Sequence, residues 1–135
     1  METNSYEPLQ KLAADTIESL KKAKQPIVRV CGPLTTGGFG YDENARRLEK
    51  AEQYLEEHGH TVFKFGDSEA HIKGKNYEYN AVMEQFHQPI LQSGLISEAY
   101  FLPGWEQSRG TTWERNFIKD HTTIVIKEFP EEWLQ

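Results

Sequence analysis

IVRVCGPLTTGGFGYDENARRLEKAEQYLEEHGHTVF (residues 27–63) holds, in order, a short unalternating apolar run, a glycine-rich loop, an amphipathic segment and a second apolar run. IVRVC (27–31) follows the helix breaker Pro26 and reads as a buried strand. From Asp42, the expected N-cap, the apolar residues Ala45, Leu48, Ala51 and Leu55 recur at helical spacing. Gly59 falls where a left-handed residue closes a helix, and TVFKF (61–65) then reads as a second strand. A strand, a loop, a helix and a further strand within this length form a parallel crossover unit, which is right-handed in nearly all proteins.

The same alternation continues on both sides. Leu9, Leu12, Ala13, Ile17 and Leu20 mark an N-terminal helix over 7–24. GDSEAHIKGKNYEYN (66–80) reads as a polar loop, and Val82, Phe86, Ile90 and Leu91 mark a third helical region with a kink or restart at Pro89. AYFLP (99–103) is the third strand, GWEQSRG (104–110) a loop, Thr111–Asp120 a short helix and TTIVI (122–126) a fourth strand. The expected architecture is a single domain over 1–135 of the α/β class. It is a compact doubly wound, Rossmann- or flavodoxin-like sheet of four to five mainly parallel strands, with helices on both faces and an extra N-terminal helix. In such sheets ligands bind beyond the carboxyl ends of the strands, where strand order reverses. That rule selects the loops after the first and third strands.

Composition narrows the function classes. A chain of 135 residues with 15 Lys+Arg against 21 Asp+Glu carries a formal charge of −6, which argues against an electrostatic grip on a nucleic-acid polymer. The single cysteine, Cys31, excludes a disulfide framework and a Cys-based zinc module. His58, His60 and His71 straddle a helix end and a loop without reason to converge, so no metal is expected. No apolar run is long enough to span a membrane and the N-terminus lacks a signal-like apolar segment, so the expected location is the cytoplasm. Seven Phe, six Tyr and three Trp supply enough apolar area for a core despite 37 % hydrophobic residues.

In CGPLTTGGFG (31–40), the hydroxyls of Thr35 and Thr36 and the glycines Gly37 and Gly38 follow a strand directly. Glycines allow close backbone approach and can cradle phosphate or sugar oxygens, although the loop is neither GxGxxG nor a Walker A sequence. A plain flexible connection is the competing reading. Arg29, inside the strand, is expected to face a carboxylate or the sheet edge. Tyr41 opens the next helix toward this loop, as a possible sugar contact. In LPGWEQSRGTTWER (102–115), Ser108 and Gly110 offer a hydroxyl and a close approach before a helix capped by Thr111. Thr111-x-x-Glu114 matches a capping box, which is purely structural. The functional alternative makes Glu114 a carboxylate nucleophile aimed into a cleft, able to displace a base at an anomeric carbon. Trp105 either stacks a base there or packs in the protein. Tyr77 and Tyr79 belong either to a lid or to a surface loop. The tail residues Phe129, Trp133 and Leu134 pack across a neighbouring subunit or against the N-terminal helix.

Together CGPLTTGGFG, the helix ending EEHGHTVF and FLPGWEQSRGTTWERNFIKDH resemble the nucleoside 2-deoxyribosyltransferase superfamily, which includes 2′-deoxynucleoside 5′-phosphate N-hydrolases. The resemblance covers about residues 27–126 in order and spacing. It implies a doubly wound fold and cleavage or transfer of the bond between a nucleobase and a (deoxy)ribose, with a nucleoside or nucleotide as small-molecule partner and no cofactor. Glu114 would form a glycosyl-enzyme ester. Ser108 and Gly110, with Thr111 beside them, would hold the 5′ end of the sugar or a 5′-phosphate. Thr35, Thr36 and Gly38 would line the sugar or phosphate pocket, with Cys31 and Gly32 at the strand end as further candidate contacts; the plain reading of Cys31 is a small buried residue. Members of the family work as homodimers or larger homo-oligomers. The family carries aspartates before the third strand and in the preceding helix, one of which protonates the leaving base. Here those places hold Ser97 and Glu98, and Glu84, Gln85, His87 and Gln88. Glu84 or His87 is therefore the expected proton donor. The alternative is a non-catalytic nucleotide-binding module that kept the pocket and lost turnover.

Overall fold

In a computed structural model of the chain, which describes residues 6–34, 37–75 and 77–135, four strands form one parallel sheet. They are β1 (Ile27–Cys31), β2 (Thr61–Phe63), β3 (Ile96–Phe101) and β4 (Val125–Glu128). Their spatial order is β2-β1-β3-β4. The crossover leaving β1 therefore turns one way and the crossovers leading to β3 and β4 turn the other. The reversal lies between β1 and β3, which pair from Ile27 to Cys31 and from Ile96 to Phe101.

Helices α1 (Tyr6–Lys22) and α2 (Tyr41–Glu57) lie on opposite faces of the sheet. Leu9, Ala13 and Leu20 of α1 join Ile27, Phe101, Ile90 and Ile118 in one core. Ala51 and Leu55 of α2 join Val28, Val30, Tyr100 and Leu102 in the other. All five residues of β1 are buried, which is why its sequence does not alternate. Gly59, at φ 91°, ends α2. Its N–H donates to Glu56 O at 3.1 Å and that of His60 donates to Leu55 O at 3.0 Å, a closing pattern that needs a left-handed residue. No helix among the described residues is long and apolar enough to cross a membrane.

Several expected boundaries shift for local reasons. Gly40, not Asp42, caps α2, with Asn44 N–H donating to Gly40 O at 2.9 Å. Strand β2 stops at Phe63, because Phe65 begins the short helix α3 (Phe65–Glu69) inside what the sequence suggests is a polar loop. The third helical region runs as α4 (Tyr79–Val82), a π turn (Met83–His87) and α5 (Gln88–Gln92). Pro89 has no N–H to continue the ladder, so the wider turn directly before it absorbs the break. Strand β4 begins only at Val125, since Thr122 is spent on leaving α6 (Arg109–His121). Its hydroxyl donates to Ile118 O at 2.8 Å and accepts from Ile124 N–H at 3.2 Å. Within the chain the tail packs on α2 and not on the N-terminal helix: Trp133 stacks on Tyr54 of α2 at 4.7 Å and Phe129 meets the same ring edge-on at 5.8 Å.

Candidate active site

A cavity of about 510 Å³ opens at the carboxyl ends of β1 and β3, a size ordinary for small-molecule sites. Its walls come from Arg29–Gly32 of β1 and its exit, α3 and the turn after it, the α4–π segment, and Ser108–Glu114 of α6. Four buried groups form one chain along its wall. Arg29 Nη2 lies 3.1 Å from Glu114 Oε2 and 2.8 Å from His87 Nδ1. The Cys31 thiol donates to the same Glu114 oxygen at 3.4 Å.

The polarity of this chain follows from its members. Arg29 has only donors, so His87 Nδ1 accepts and the imidazole is neutral. Burial, reinforced by the adjacent Arg29, holds the His87 pKa well below its ordinary value. Burial first, and then the Glu114 charge, pushes the Cys31 thiol well up. The Arg29 guanidinium rests near the Phe63 and Phe65 rings, at 5.1 and 5.7 Å. Its Nε and Nη1 are buried without an acceptor among the described residues. Glu114 Oε2 is thus held by the Arg29 ion pair and the Cys31 thiol, and no hydrogen bond to Oε1 is seen among the described residues.

The capping-box reading fails here. Ser108 is the N-cap of α6 and accepts from Thr111 N–H at 3.2 Å. Thr111 therefore sits three residues into the motif, its hydroxyl donating to Ser108 Oγ at 3.0 Å. Glu114 lies a full turn further along, where its side chain cannot fold back on the cap and points instead to Arg29.

Of the residues singled out from sequence, Cys31, Gly32, His87, Ser108, Gly110, Thr111 and Glu114 line the cavity together. Thr35 and Thr36 lie outside the described residues. Gly38 faces a separate hollow of about 30 Å³ beside Phe39 and Asn44. Tyr41 does not line the cavity; Lys73 Nζ stands 3.8 Å over its ring. Trp105 is folded away from the cavity onto Phe101, with the Arg115 guanidinium 4.2 Å above it. Glu84 is exposed and stands off the cavity, so it is in no position to protonate a ligand held there. His87 is at the cavity but is neutral, with Nδ1 already bonded to Arg29.

The two selected loops are held against each other. Asn44 Nδ2 donates to Leu34 O and Gly37 O, both at 3.1 Å, and its Oδ1 accepts from Phe39 N–H at 3.0 Å. Gly37 lies so near the second loop that a Cβ there would sit 2.2 Å from Gln107 O. Tyr79, which also lines the cavity, donates to Arg109 O at 3.1 Å, and the Arg109 guanidinium stacks 3.6 Å from its ring.

Glu69 and Lys73 are charged cavity residues that the sequence reading passes over. Phe65, Ser68, Glu69 and Ile72 are spaced i, i+3, i+4, i+7, the signature of one helix face. Two of the four are polar, which hides the pattern, yet Ser68 and Glu69 are both buried. Glu69 Oε2 has no hydrogen-bond partner among the described residues, and burial raises the pKa of the carboxyl, partly offset by Lys73.

Fold and site together define a doubly wound α/β protein with an open cavity, lined in part by charged side chains, at the point where strand order reverses. Residues 27–127 match the family described as a domain of unknown function, DUF4406, and the chain belongs to that family. No curated protein and no solved structure matches the chain.

Proposed function

We propose that this protein is a cytoplasmic enzyme that cleaves or transfers the N-glycosidic bond of 2′-deoxynucleosides or their 5′-monophosphates, with Glu114 as nucleophile. The observation that carries the reading is the Glu114 carboxylate: it lines a 510 Å³ cavity, is not used to cap its helix, and among the described residues is gripped through Oε2 alone. Arg29 and Cys31 fix Oε2, which orients the group and leaves Oε1 for the sugar.

In the first step Oε1 bonds to C1′ while the C1′–N bond breaks, its electron pair going to the base nitrogen, which takes up a proton. The product is a glycosyl ester on Glu114. Water, or a second base in a transfer reaction, then attacks C1′ and releases the carboxylate, with the incoming proton returned to the acid. The amides at the start of α6, with Lys73 and Arg109 at the cavity wall, favour an anionic 5′ substituent. Homo-oligomerisation belongs to the same proposal and is tested by light scattering.

The test is base release from a panel of 2′-deoxynucleosides and 5′-monophosphates, followed by chromatography. Glu114→Gln should abolish it, and a burst of ester in the wild type should register as an added deoxyribosyl mass. Activity of Glu114→Gln within tenfold of wild type removes Glu114 from the mechanism. A second reading, a module that binds nucleotides without turnover, draws on the neutral state of His87 and the exposure of Glu84. It predicts a ligand-dependent rise in melting temperature with no base released.

A further inference from the structure

A nucleobase is a poor leaving group as an anion, so glycosyl transfer to Glu114 requires an acid within reach of the base. Among the titratable groups on the cavity wall, most are committed elsewhere. His87 is neutral and accepts from Arg29 at Nδ1. The Cys31 thiol donates to Glu114 and the Tyr79 hydroxyl donates to Arg109 O. Lys73 lies over the ring of Tyr41.

We infer that Glu69 is the general acid of this site, holding the proton that passes to the departing base. Two structural facts carry this, on top of the reading of Glu114 as nucleophile. Glu69 lines the same cavity as Glu114 but comes from α3, a different wall. Its Oε2 is buried without a donor among the described residues, whereas its other oxygen is not one of the orphaned buried atoms there. A carboxylate must spread its charge over both oxygens, and a buried oxygen with no donor cannot carry its share without a large penalty. The neutral acid avoids it: Oε2 serves as the carbonyl oxygen, and the O–H sits on the oxygen left to the cavity. Burial shifts the Glu69 equilibrium in that same direction. The two carboxyls then differ as a glycosyl-transfer pair must, one ionically paired with Arg29 and one protonated.

During the first step the proton leaves Glu69 for the base nitrogen as the C1′–N electron pair arrives there. In the second step the Glu69 carboxylate takes a proton from the attacking water, restoring both groups. Helix α3, between β2 and α4, thus supplies the acid, whereas the resemblance places it in the helix before the third strand.

The test compares Glu69→Gln with wild type on 2′-deoxyguanosine 5′-monophosphate and on its N7-methyl derivative, whose base departs as a neutral molecule without protonation. We expect a loss of about 100-fold or more on the first substrate and less than tenfold on the second. An equal loss on both would make Glu69 structural, and a loss under tenfold on the first would remove it from proton transfer; either result overturns the inference while leaving Glu114 in place. If the wild type releases base from neither substrate, the glycosidic reading itself fails and takes the role of Glu69 with it. Circular dichroism and melting of Glu69→Gln establish that the variant compared is folded.

Discussion

Arg29 Nη2 and Glu114 Oε2 lie 3.1 Å apart, with the two side chains 3 % and 10 % exposed, in a wall formed by β1 and α6. An arginine in the middle of a wholly buried strand is costly to desolvate, and the carboxylate opposite is what makes the position tenable. Their pairing ties the sheet to the helix that bears the proposed nucleophile.

Breaking this pair from one side should cost more than removing it whole. Arg29→Met leaves an uncompensated buried carboxylate and Glu114→Gln leaves an uncompensated guanidinium, so each should lower stability by about 3 kcal/mol. The double variant Arg29→Met/Glu114→Gln should lose less than either single variant, and so fall short of the sum of the two by about 3 kcal/mol or more. Urea unfolding measures the three values. Additivity within about 0.5 kcal/mol would mean that the two charges do not stabilise one another.

The pH dependence of stability should carry two opposed contributions. Burial raises the Glu52 pKa to about 7, against the Phe65 N–H that it accepts and the nearby Lys64. The folded state therefore holds the proton more tightly than the unfolded chain, and this contribution is lost as pH rises from the ordinary carboxylate range through about 7. Its full size is on the order of 3 kcal/mol. Glu52→Gln keeps the acceptor for Phe65 N–H without titrating, so it should melt near wild type at pH ~5 and several degrees higher at pH ~8. His87 works the other way: its lowered pKa gives stability that is present above its ordinary value and lost as pH falls. His87→Asn retains an acceptor near Nδ1 and should flatten the acid limb. Melting curves of both variants between pH ~4.5 and ~8.5 separate the two effects. An unchanged pH profile in Glu52→Gln would show that Glu52 titrates as an ordinary surface carboxyl.

The docking of the two loops makes a prediction about glycines. At Gly37 a side chain meets both a φ of 71° and the Gln107 carbonyl at 2.2 Å from its Cβ, a backbone atom that cannot swing aside. Gly74 has a similar φ of 79° but open space around it. Gly74→Ala should lose only about 1 kcal/mol for the left-handed backbone, whereas Gly37→Ala should lose about 2 kcal/mol or more or release the loop. Equal losses in urea unfolding would mean that the loops do not touch in solution.

What was legible in the chain alone follows from periodicity. Buried parallel strands such as IVRVC are continuous apolar runs, and α2 shows its core face as Ala51 and Leu55, so the alternation of strands and helices could be read without coordinates. The two loops beyond β1 and β3 could be chosen as well, since the strand-end rule needs only the element order. The strand order itself, and hence the switch point between β1 and β3, came from the pairing of distant segments.

The side-chain constellation was beyond the sequence for a related reason. Arg29, Cys31, Glu69, His87 and Glu114 lie on four separate elements, and a motif can report only what is near in the chain. Glu114 looked like half of a capping box because Thr111 precedes it by three residues; the true cap, Ser108, shifted the helix start and freed the carboxylate. Glu69 looked like part of a polar loop, because burial of a carboxyl depends on what the fold lays over it. Local pattern thus determined the elements, whereas desolvation and contact between distant residues decided which charges ended up facing one cavity.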